Sequence, residues 1–380
     1  MRGITLTEAD REDWMALWLE AFPEDSRQWT AWYAENFVRE GSILGIREDG
    51  RLTSMVHLNR STLALRGREL PACAVAGVAT AQDCRGRGLA RTLLDESHRI
   101  LRREGTALAY LYPFSYAFYE KYGWTAGYRA FSWKLSAAQA VHCGRSDGIL
   151  QWIERPASED FAHMARIYRE WVKTLDGYRL RDSSDMRQRY EDEAIGGARL
   201  AFWESGTSEG YLLASCSEGR WLVADWAGED MKGLMLALFA EGKVSEAAWL
   251  SPLDDAVGIP GAVRTVVDRD MVRVLNFAAC LEGIQCPEGL DCVIAAEDPF
   301  LPVNSGCYRL TEKEGQIHCQ REDEAPRAWG DIRAWTAVLM GYAAPETAGL
   351  VFAQDKEDTT IAQLQAVFPP RRMWLQEMYV

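Results

Sequence analysis

The sequence contains few histidines and no closely spaced pair of cysteines. Five histidines are spread over 380 residues, and none of the nine cysteines belongs to a CxxC pair. Zinc and similar metal sites are built from such ligands at short, recognisable spacings, so we expect no metal centre. An odd number of scattered cysteines in a long chain is typical of reduced thiols in an intracellular compartment, and we expect no disulfide scaffold.

Long apolar runs and an excess of positive charge are also absent. No apolar segment is close to the length of about 18 residues that a membrane span requires. The N-terminal segment MRGITLTEADRED lacks the apolar core of a signal peptide. We therefore expect a cytoplasmic protein. The formal net charge of −14 argues against general nucleic-acid binding, because phosphate would be repelled over most of the surface. The same charge would attract cationic substrates such as amines.

Helices and strands alternate over residues 1–140. An apolar stripe that includes Trp14, Trp18 and Phe22 predicts a helix, and a second helix is expected to begin at a Ser26 cap. Four strands follow, then a longer helix, a short buried strand, a short helix and a last strand over YRAFSWKL. The length and order of these segments predict one α+β domain.

Two further regions complete the chain. Residues 141–272 repeat the order of helices and strands, but the turn after their third strand reads EDMKG. This turn lacks the cluster of arginines and glycines found at the matching place in the first domain, which predicts a duplicated but degenerate fold. Residues 273–380 predict a third α+β domain. The last eight residues are mostly apolar and aromatic, so we expect the terminus to pack into the protein.

Positive charge and glycine are concentrated in the segment DCRGRGLARTLLDE, where Arg85, Arg87 and Arg91 surround Gly86 and Gly88. A strand precedes this turn and a helix follows it. Free amides at a helix start, together with arginines, would hold a diphosphate; the alternative is an exposed, solubilising turn. The P-loop pattern GxxxxGK[ST] is absent. A dinucleotide-binding fingerprint also fails, because Arg91 stands where its third glycine would be.

The pattern Arg85-x-x-Gly88-x-Ala90 after a strand resembles the R/Q-x-x-G-x-G/A motif of the GNAT superfamily of N-acetyltransferases. The resemblance implies that this loop binds the pyrophosphate of acetyl-CoA. It also implies that the preceding strand splays from its neighbour and offers backbone groups to the pantetheine arm and thioester. By position, the acetyl-CoA-binding residues would be Val78, Ala79, Thr80, Arg85, Gly86, Arg87, Gly88, Leu89, Ala90, Arg91, Phe114 and Ser115.

The segment PFSYAFYEKYGW resembles the last motif of the same family, in which a tyrosine faces the thioester sulfur. The matching residue is Tyr119. A phenol has a pKa near ~10 and a thiol near ~8.5, so a neutral tyrosine can donate its proton to a departing thiolate. Tyr119 is therefore expected to be the general acid, and Tyr112, Tyr116 and Tyr122 are the alternatives in this segment.

Over its whole length the chain resembles the Eis (enhanced intracellular survival) family of acetyl-CoA-dependent N-acetyltransferases. Members act on amines, including aminoglycosides, and assemble as hexamers. The resemblance implies a sterol-carrier-like third domain and a general base supplied by the C-terminal carboxylate, here that of Val380 where the family often has Phe. For the acceptor we expect an acidic and aromatic wall of Asp25, Trp29 and Trp32 from the early helices.

These features predict an α+β protein with tandem GNAT folds, the first functional and the second degenerate, followed by a sterol-carrier-like domain. The predicted function is direct acetyl transfer from acetyl-CoA to a primary amine of a cationic small molecule, a class that includes aminoglycosides. The alternatives are a protein or peptide lysine acetyltransferase, and a CoA- or lipid-binding module without catalysis. We expect a homo-oligomer without a nucleic-acid, membrane or metal partner.

Overall fold

The computed structural model describes residues 3–206, 208–241, 244–254, 258–353 and 359–377. The chain divides into two compact units. One unit holds the residues up to Tyr128, Arg269–Arg371 and Glu377, and the other holds Arg129–Asp268 and Arg372–Gln376. The chain therefore leaves the first unit and returns to it twice.

The described residues form short helices and strands joined mostly by short turns. The strands, in chain order, are β1 (Ile4–Thr5), β2 (Ile43–Glu48), β3 (Arg51–Leu65), β4 (Arg68–Thr80), β5 (Leu108–Leu111), β6 (Thr125–Ala126), β7 (Arg129–Ser136), β8 (Ile149–Ile153), β9 (Tyr178–Arg179), β10 (Arg199–Ser205), β11 (Ser208–Ser217), β12 (Arg220–Gly228), β13 (Glu246–Pro252), β14 (Val263–Asp268), β15 (Met271–Val274), β16 (Asp291–Glu297), β17 (Gly306–Lys313), β18 (Gln316–Glu322), β19 (Ala328–Asp331) and β20 (Val351–Phe352). The helices are α1 (Arg11–Ala21), α2 (Arg27–Asn36), α3 (Leu89–Arg103), α4 (Tyr116–Glu120), α5 (Ala137–Ala140), α6 (Ser158–Val172), α7 (Ser183–Ile195), α8 (Met231–Ala237), α9 (Phe277–Leu281), α10 (Ile332–Leu339) and α11 (Thr360–Val367).

The first unit contains a mixed sheet in the order β1-β2-β3-β4-β5-β15-β6. Its neighbouring strands are antiparallel except for β4 and β5, which are parallel. The apolar side of α1, with Trp14 and Trp18, and that of α3, with Leu93 and Leu94, belong to one buried core. The aromatic stripe that predicted α1 is therefore confirmed as a core face.

The second unit contains a sheet in the order β14-β7-β13-β12-β11-β10-β8. Only β12 and β13 are parallel, and the other pairs are antiparallel. When the first sheet is taken in the reverse order, from β6 to β1, the two sheets have the same succession of parallel and antiparallel pairs. The duplication expected from the sequence is confirmed in this topology.

The strand predicted over YRAFSWKL is present, but it does not complete the first sheet. It is β7, which lies between β13 and β14 in the second sheet, where Trp133 stacks on Trp249 with 5.7 Å between ring centroids. The matching position in the first sheet is occupied by β15. The alternation of apolar residues predicts a strand, but it does not specify the strands with which that strand pairs.

A third sheet has the order β18-β17-β16-β19-β20 and belongs to the first unit. Two arginines at the tip of the β3–β4 hairpin contact the C-terminal ends of α10 and α9. Arg66 is buried and donates to the carbonyl oxygens of Val338 and Leu339 at 2.9 and 2.7 Å, and Arg68 donates to that of Cys280 at 2.6 Å. The last carbonyls of a helix lack intrahelical partners and carry partial negative charge, so these contacts stabilise α10 and α9.

The C-terminal segment is buried as far as the structure describes it. Trp374 belongs to the apolar core of the second unit. The guanidinium of Arg181 donates to the carbonyl oxygen of Gln376 at 2.6 Å and to the carboxylate of Asp225 at 2.9 Å. The expectation that the terminus packs into the protein is therefore confirmed through Glu377, which is also buried.

The nine cysteines are all free thiols. This agrees with the expectation of reduced cysteines rather than a disulfide scaffold. In the described part of the chain, no helix has both the length and the apolar character needed to cross a membrane.

Candidate active site

The first sheet opens between β4 and β5. Their parallel pairing ends at Ala74 and Tyr110, whereas β4 continues to Thr80. The rest of β4 has one backbone edge without a strand partner among the described residues, so this edge can hydrogen-bond a ligand. Val78 and Ala79 lie in this open stretch with Thr80, as the resemblance to the GNAT family implies.

A β-bulge bends β4 in the open stretch. Two of its residues, Gly77 and Val78, face the single residue Val56 of β3. An extra residue on one strand bends that strand and changes the direction of its backbone groups. The bulge therefore redirects β4 where it is no longer paired with β5.

Gly77 is required for this bulge. Its φ of +54° lies in the left-handed region, and a Cβ atom there would lie 2.4 Å from Cζ3 of Trp18 and 3.0 Å from Cδ2 of His57. Trp18 therefore packs directly on the backbone of the bulge. Gly77 and His57 are not among the site residues predicted from the sequence; the usable signal is a glycine inside a strand pattern, which often marks a bulge.

The turn before α3 leaves room for a ligand. Gly86 and Gly88 have φ values of +77° and +79°, and a Cβ built at either would meet no described atom within 4 Å. Gly88 is the N-cap of α3, and among the described residues no side chain caps this helix. The first amides of the helix, including those of Leu89 and Ala90, lack intrahelical acceptors and attract anions. The geometry therefore fits a diphosphate.

The three arginines around this turn are partly engaged. Arg85 donates through Nε to a carbonyl oxygen of β4 at 3.2 Å. Arg87 forms two hydrogen bonds with the carboxylate of Glu48, at 2.7 and 2.8 Å, and Arg91 lies 3.8 Å from Asp95. A diphosphate at this turn must compete with Glu48 for Arg87.

The matching turn in the second unit is closed by an acidic residue. The N-cap of α8 is Asp230, whose carboxylate accepts a hydrogen bond from the amide of Gly233 at 2.8 Å. Gly88 occupies the equivalent place in the first unit and has no side chain to offer. A carboxylate at a helix N-terminus takes the amides and the charge that a phosphate would use. The second unit is thus unsuited to a diphosphate at this position.

Tyr119 lies in α4, the short helix that follows β5. Its side chain is 3 % exposed, and its ring contacts those of Phe114, Phe118 and Trp124 at 5.4, 5.0 and 6.1 Å between centroids. Its hydroxyl has no hydrogen-bond partner among the residues that the structure describes. Burial raises the pKa of Tyr119, so the phenol keeps its proton at neutral pH.

The other three tyrosines of this segment differ from Tyr119. Tyr116 donates its hydroxyl hydrogen to the carbonyl oxygen of Arg269. Tyr112 is 50 % exposed beneath the guanidinium of Arg269, which lies 4.7 Å from its ring centroid. Tyr122 is half-buried. Tyr119 is therefore the most buried phenol of the four.

The remaining predicted residues at this end of the site are placed as follows. Phe114 is 71 % exposed. Ser115 caps α4 by accepting a hydrogen bond from the amide of Phe118 at 3.3 Å, so it has a structural role whether or not it binds a ligand. Val380 lies outside the described residues.

The predicted acceptor residues lie around Trp18. Its indole Nε1 donates to the carboxylate of Asp25 at 2.7 Å, and its ring lies 5.7 Å from that of Trp29, which lies 6.5 Å from that of Trp32. Trp29 and Trp32 are both half-buried. Because Trp18 also packs on Gly77, it links this acidic and aromatic group to the bulge of β4.

His57 is a packing residue rather than a base. It is buried edge-on against the rings of Trp14 and Trp18, at 5.0 Å from each, and neither ring nitrogen has a hydrogen-bond partner among the described residues. Burial lowers the pKa of His57 to about 3, so its ring is neutral. Within the described residues, no group of three or more His, Cys, Asp or Glu side chains is arranged to hold a metal ion.

Two family models match parts of the chain. Residues 3–127 match an acetyltransferase (GNAT) domain, and residues 278–376 match a sterol carrier protein domain. The chain therefore contains a GNAT acetyltransferase domain and a sterol carrier protein domain. No curated protein matches its sequence.

Several solved structures resemble the whole chain. A probable N-acyltransferase of unknown function from Enterococcus faecalis V583 has a TM-score of 0.85 at 19 % identity and covers 99 % of both chains. A GCN5-related N-acetyltransferase from Kribbella flavida has a TM-score of 0.80 at 20 % identity, covering 99 % of this chain and 97 % of that one. Eis1 from Mycobacterium abscessus has a TM-score of 0.78 at 18 % identity over 99 % of both chains. The acyltransferase fold shared with Eis1 is thus confirmed, as is the sterol carrier domain.

We expect Gly77→Ala to damage both stability and acetyl transfer. The added Cβ would collide with Trp18, and overpacking of this kind costs about 1–3 kcal/mol of unfolding free energy. The backbone of Val78 would shift with it, and a displacement of about 1 Å can slow a reaction by roughly 100-fold. Denaturant unfolding and steady-state kinetics measure the two effects.

Gly67→Ala is the matched control for this substitution. Gly67 also has a positive φ, of +77°, but a Cβ there meets no described atom within 4 Å. This variant should lose only about 1 kcal/mol from backbone strain and keep its kcat. Equal losses in the two variants would show that Trp18 does not fix the bulge.

We expect Glu48→Gln to strengthen CoA binding, because it frees Arg87 from its carboxylate partner. Arg87 is 47 % exposed, and such screened ion pairs are worth up to about 1 kcal/mol, so the gain in affinity should be no more than about fivefold. Calorimetric titration with CoA measures it. Asp83→Asn, which frees Arg51 in the same way, should leave affinity unchanged; weaker binding by Glu48→Gln would contradict the competition.

Proposed function

We propose that the protein transfers the acetyl group of acetyl-CoA directly to a primary amine of a cationic small molecule, a class that includes aminoglycosides. The observation that carries the proposal is the opening between β4 and β5. The N-terminus of α3, which no described side chain caps, follows one of these strands, and the helix with Tyr119 follows the other. Acetyl-CoA, when bound, supplies an activated acyl group with a thiolate leaving group.

The turn before α3 would hold the diphosphate. Its free amides and Arg85 point to an anion site, and Gly86 and Gly88 allow the close approach of a ligand. The open edge of β4 would then bind the extended arm of the coenzyme by backbone hydrogen bonds. Backbone N–H groups near Val78 would stabilise the negative charge that develops on the carbonyl oxygen during transfer.

Tyr119 would supply the proton for the leaving sulfur. Its raised pKa keeps the phenol protonated, and its hydroxyl is not committed to another described residue. The competing tyrosines fit less well, because Tyr116 already donates to a carbonyl group and Tyr112 is largely exposed. A positioned acid of this kind contributes roughly 10²–10⁴ to the rate.

The carboxylate of Val380 would accept the proton of the amine. An ammonium group must lose a proton before it can attack, so a base close to the acceptor is required. The support for this role is the family resemblance together with the burial of the chain as far as Glu377. The hexamer and the cytoplasmic location that were inferred from the sequence stay predictions.

The acceptor would bind beside Asp25, Trp29 and Trp32. A carboxylate and two partly exposed indoles suit an ammonium group through charge and cation–π attraction. Trp18 would keep this wall against the bulge of β4, because it contacts both Asp25 and Gly77. The net charge of −14 favours a cationic acceptor. It does not distinguish a small amine from a lysine peptide, so lysine peptides belong in the test.

We expect Tyr119→Phe to lower kcat by about 10²–10³ with little change in the KM for acetyl-CoA, because only the proton donor is removed. Thiol release from acetyl-CoA measures the rate with polyamines, aminoglycosides and lysine peptides as acceptors. Tyr122→Phe is the matched control in the same segment and should retain the kcat of the wild type. If Tyr122→Phe loses activity and Tyr119→Phe retains it, Tyr122 is the donor.

We expect a few residues appended after Val380 to abolish transfer, because the terminal carboxylate would be replaced by a peptide bond. The same residues added before the N-terminus serve as the control and should have no effect. Full activity of the C-terminally extended protein would refute the terminal base. If no amine stimulates thiol release by the wild type, a CoA- or lipid-binding module without catalysis replaces the proposal.

A further inference from the structure

Asp298 lies in the sterol carrier domain, directly after β16, and is completely buried. Its carboxylate accepts hydrogen bonds from the amide of Leu301 at 3.0 Å and from the side-chain amide of Asn304 at 2.9 Å. Arg273 of β15 donates to both carboxylate oxygens, at 2.7 and 2.8 Å. One carboxylate thus fixes the loop that it begins, residues 298–305, and connects this loop to a strand of the first sheet.

The guanidinium of Arg273 packs on the turn that follows the helix of Tyr119. A Cβ atom at Gly123 would lie 3.0 Å from both Cζ and Nε of Arg273, and Gly123 has a φ of +80°, which also favours glycine. The amide of Tyr122 donates to the carbonyl oxygen of Tyr119 at 2.8 Å, and that of Gly123 to the carbonyl oxygen of Glu120 at 3.2 Å. Arg273 therefore lies against the same backbone turn that closes α4.

Two apolar side chains of the 298–305 loop also approach α4. The ring of Phe300 lies 6.3 Å from that of Tyr122, measured between centroids. Leu301 is buried and belongs to the core that contains Tyr119. The sterol carrier domain therefore contacts the segment of the proposed proton donor through a charged group and through apolar ones.

Helix α4 depends on such contacts because it is short. It has five residues, and helices of fewer than about 12 residues are marginal in water without tertiary packing. A proton donor has to stay within hydrogen-bond reach of the leaving atom, and a misplacement of about 1 Å can slow a reaction by roughly 100-fold. A contact that fixes the backbone of α4 therefore bears on the rate of transfer.

We propose that the ion pair of Asp298 and Arg273 positions α4, and with it the hydroxyl of Tyr119, so that a loop of the sterol carrier domain supports the proposed active site. Both are positioning residues, because they act through Tyr119 rather than on acetyl-CoA or the amine. The effect on catalysis rests on the role proposed for Tyr119, whereas the hold on α4 does not.

An ion pair fixes the orientation of a side chain as well as its volume. The carboxylate of Asp298 determines the plane of the Arg273 guanidinium, because charge-assisted hydrogen bonds of this kind are strong and specific in geometry. Removal of one partner would leave the other as an uncompensated buried charge, whereas replacement of both partners together is often tolerated. A double substitution therefore removes the orientation while the protein stays folded.

The double variant Arg273→Met, Asp298→Asn tests the hold on α4 without reference to activity. Asparagine keeps an oxygen for the amide of Leu301, and methionine keeps much of the apolar volume of arginine, so we expect a Tm within about 5 °C of the wild type. Hydrogen exchange of the amides in residues 116–124, followed by mass spectrometry, should be at least about tenfold faster in the variant. Exchange at the rate of the wild type would refute the hold on α4.

The control is the double variant Arg60→Met, Glu104→Gln, which removes an exposed ion pair of the same unit. Arg60 donates to the carboxylate of Glu104 at 2.7 Å, and each side chain is 41 % exposed. This variant should keep the exchange rates and the kcat of the wild type. Equal acceleration of exchange in the two double variants would also refute the hold, because it would follow from any loss of charge.

A double-mutant cycle with Tyr119→Phe tests the positioning role. The variant Arg273→Met, Asp298→Asn should have a kcat lower by about 10–100-fold, with little change in the KM for acetyl-CoA. Because Tyr119 is then already misplaced, adding Tyr119→Phe should lower kcat by less than about threefold more, against about 10²–10³ in the wild-type background. Multiplicative losses are the result of a merely structural defect and would refute the positioning role.

Gly123→Ala tests the same contact from the other side, and it serves where the double variant does not fold. Its Cβ would displace the guanidinium of Arg273. Gly105→Ala is the matched control, since Gly105 has a φ of +87° and a Cβ there meets no described atom within 4 Å. We expect kcat to fall by about tenfold more in Gly123→Ala than in Gly105→Ala, and equal kcat values would refute the positioning role.

The outcomes for Tyr119 and for the ion pair are separable. If Tyr119→Phe leaves the kcat of the wild type unchanged, or if the wild type acetylates no amine, the proposed function fails by itself. Hydrogen exchange in residues 116–124 then still decides whether Asp298 and Arg273 hold α4.

Discussion

The early end of the pairing between β4 and β5 is the constraint on which the site depends. Because these strands are parallel, the elements that follow them begin at the same edge of the sheet. The turn with Gly86 and Gly88 follows β4, and the helix with Tyr119 follows β5. If pairing continued past Ala74, the backbone N–H and C=O groups near Val78 would be hydrogen-bonded within the sheet. The divergence of two strands thus supplies a free backbone edge between the proposed anion site and the proposed proton donor.

The duplication explains the two sheets, but the first sheet also needs a strand that follows the second sheet in the chain. After β6 the chain enters the second sheet as β7, and after β14 it returns to the first as β15. The second sheet lies entirely within residues 129–268, whereas the first sheet receives β15 from the part of the chain that follows them. Without β15 the free edge of β5 would be open to other strands, which is a known route to aggregation. We infer that residues 1–128 do not form the complete first sheet alone.

Local chemistry was predictable from the sequence, and pairing over long distances was not. The glycine–arginine turn, the cap at Ser26 and the aromatic face of α1 each depend on residues within a few positions of one another. The exchange of β7 and β15 depends on partners more than 100 residues apart, for which period-2 patterning carries no information. The contact of Trp18 with Gly77 also joins residues from different elements, so the reason for that glycine became visible only in the fold.

Asp270, which directly precedes β15, is completely buried, and its burial follows from the same exchange of strands. The residue stands at the point where the chain returns to the first sheet, and β15 is held there between β5 and β6. A segment fixed on both sides by backbone hydrogen bonds cannot turn its side chain toward water by a small adjustment, so the carboxyl group stays buried and its pKa is raised. Backbone pairing thus takes precedence over the ionisation of one acid.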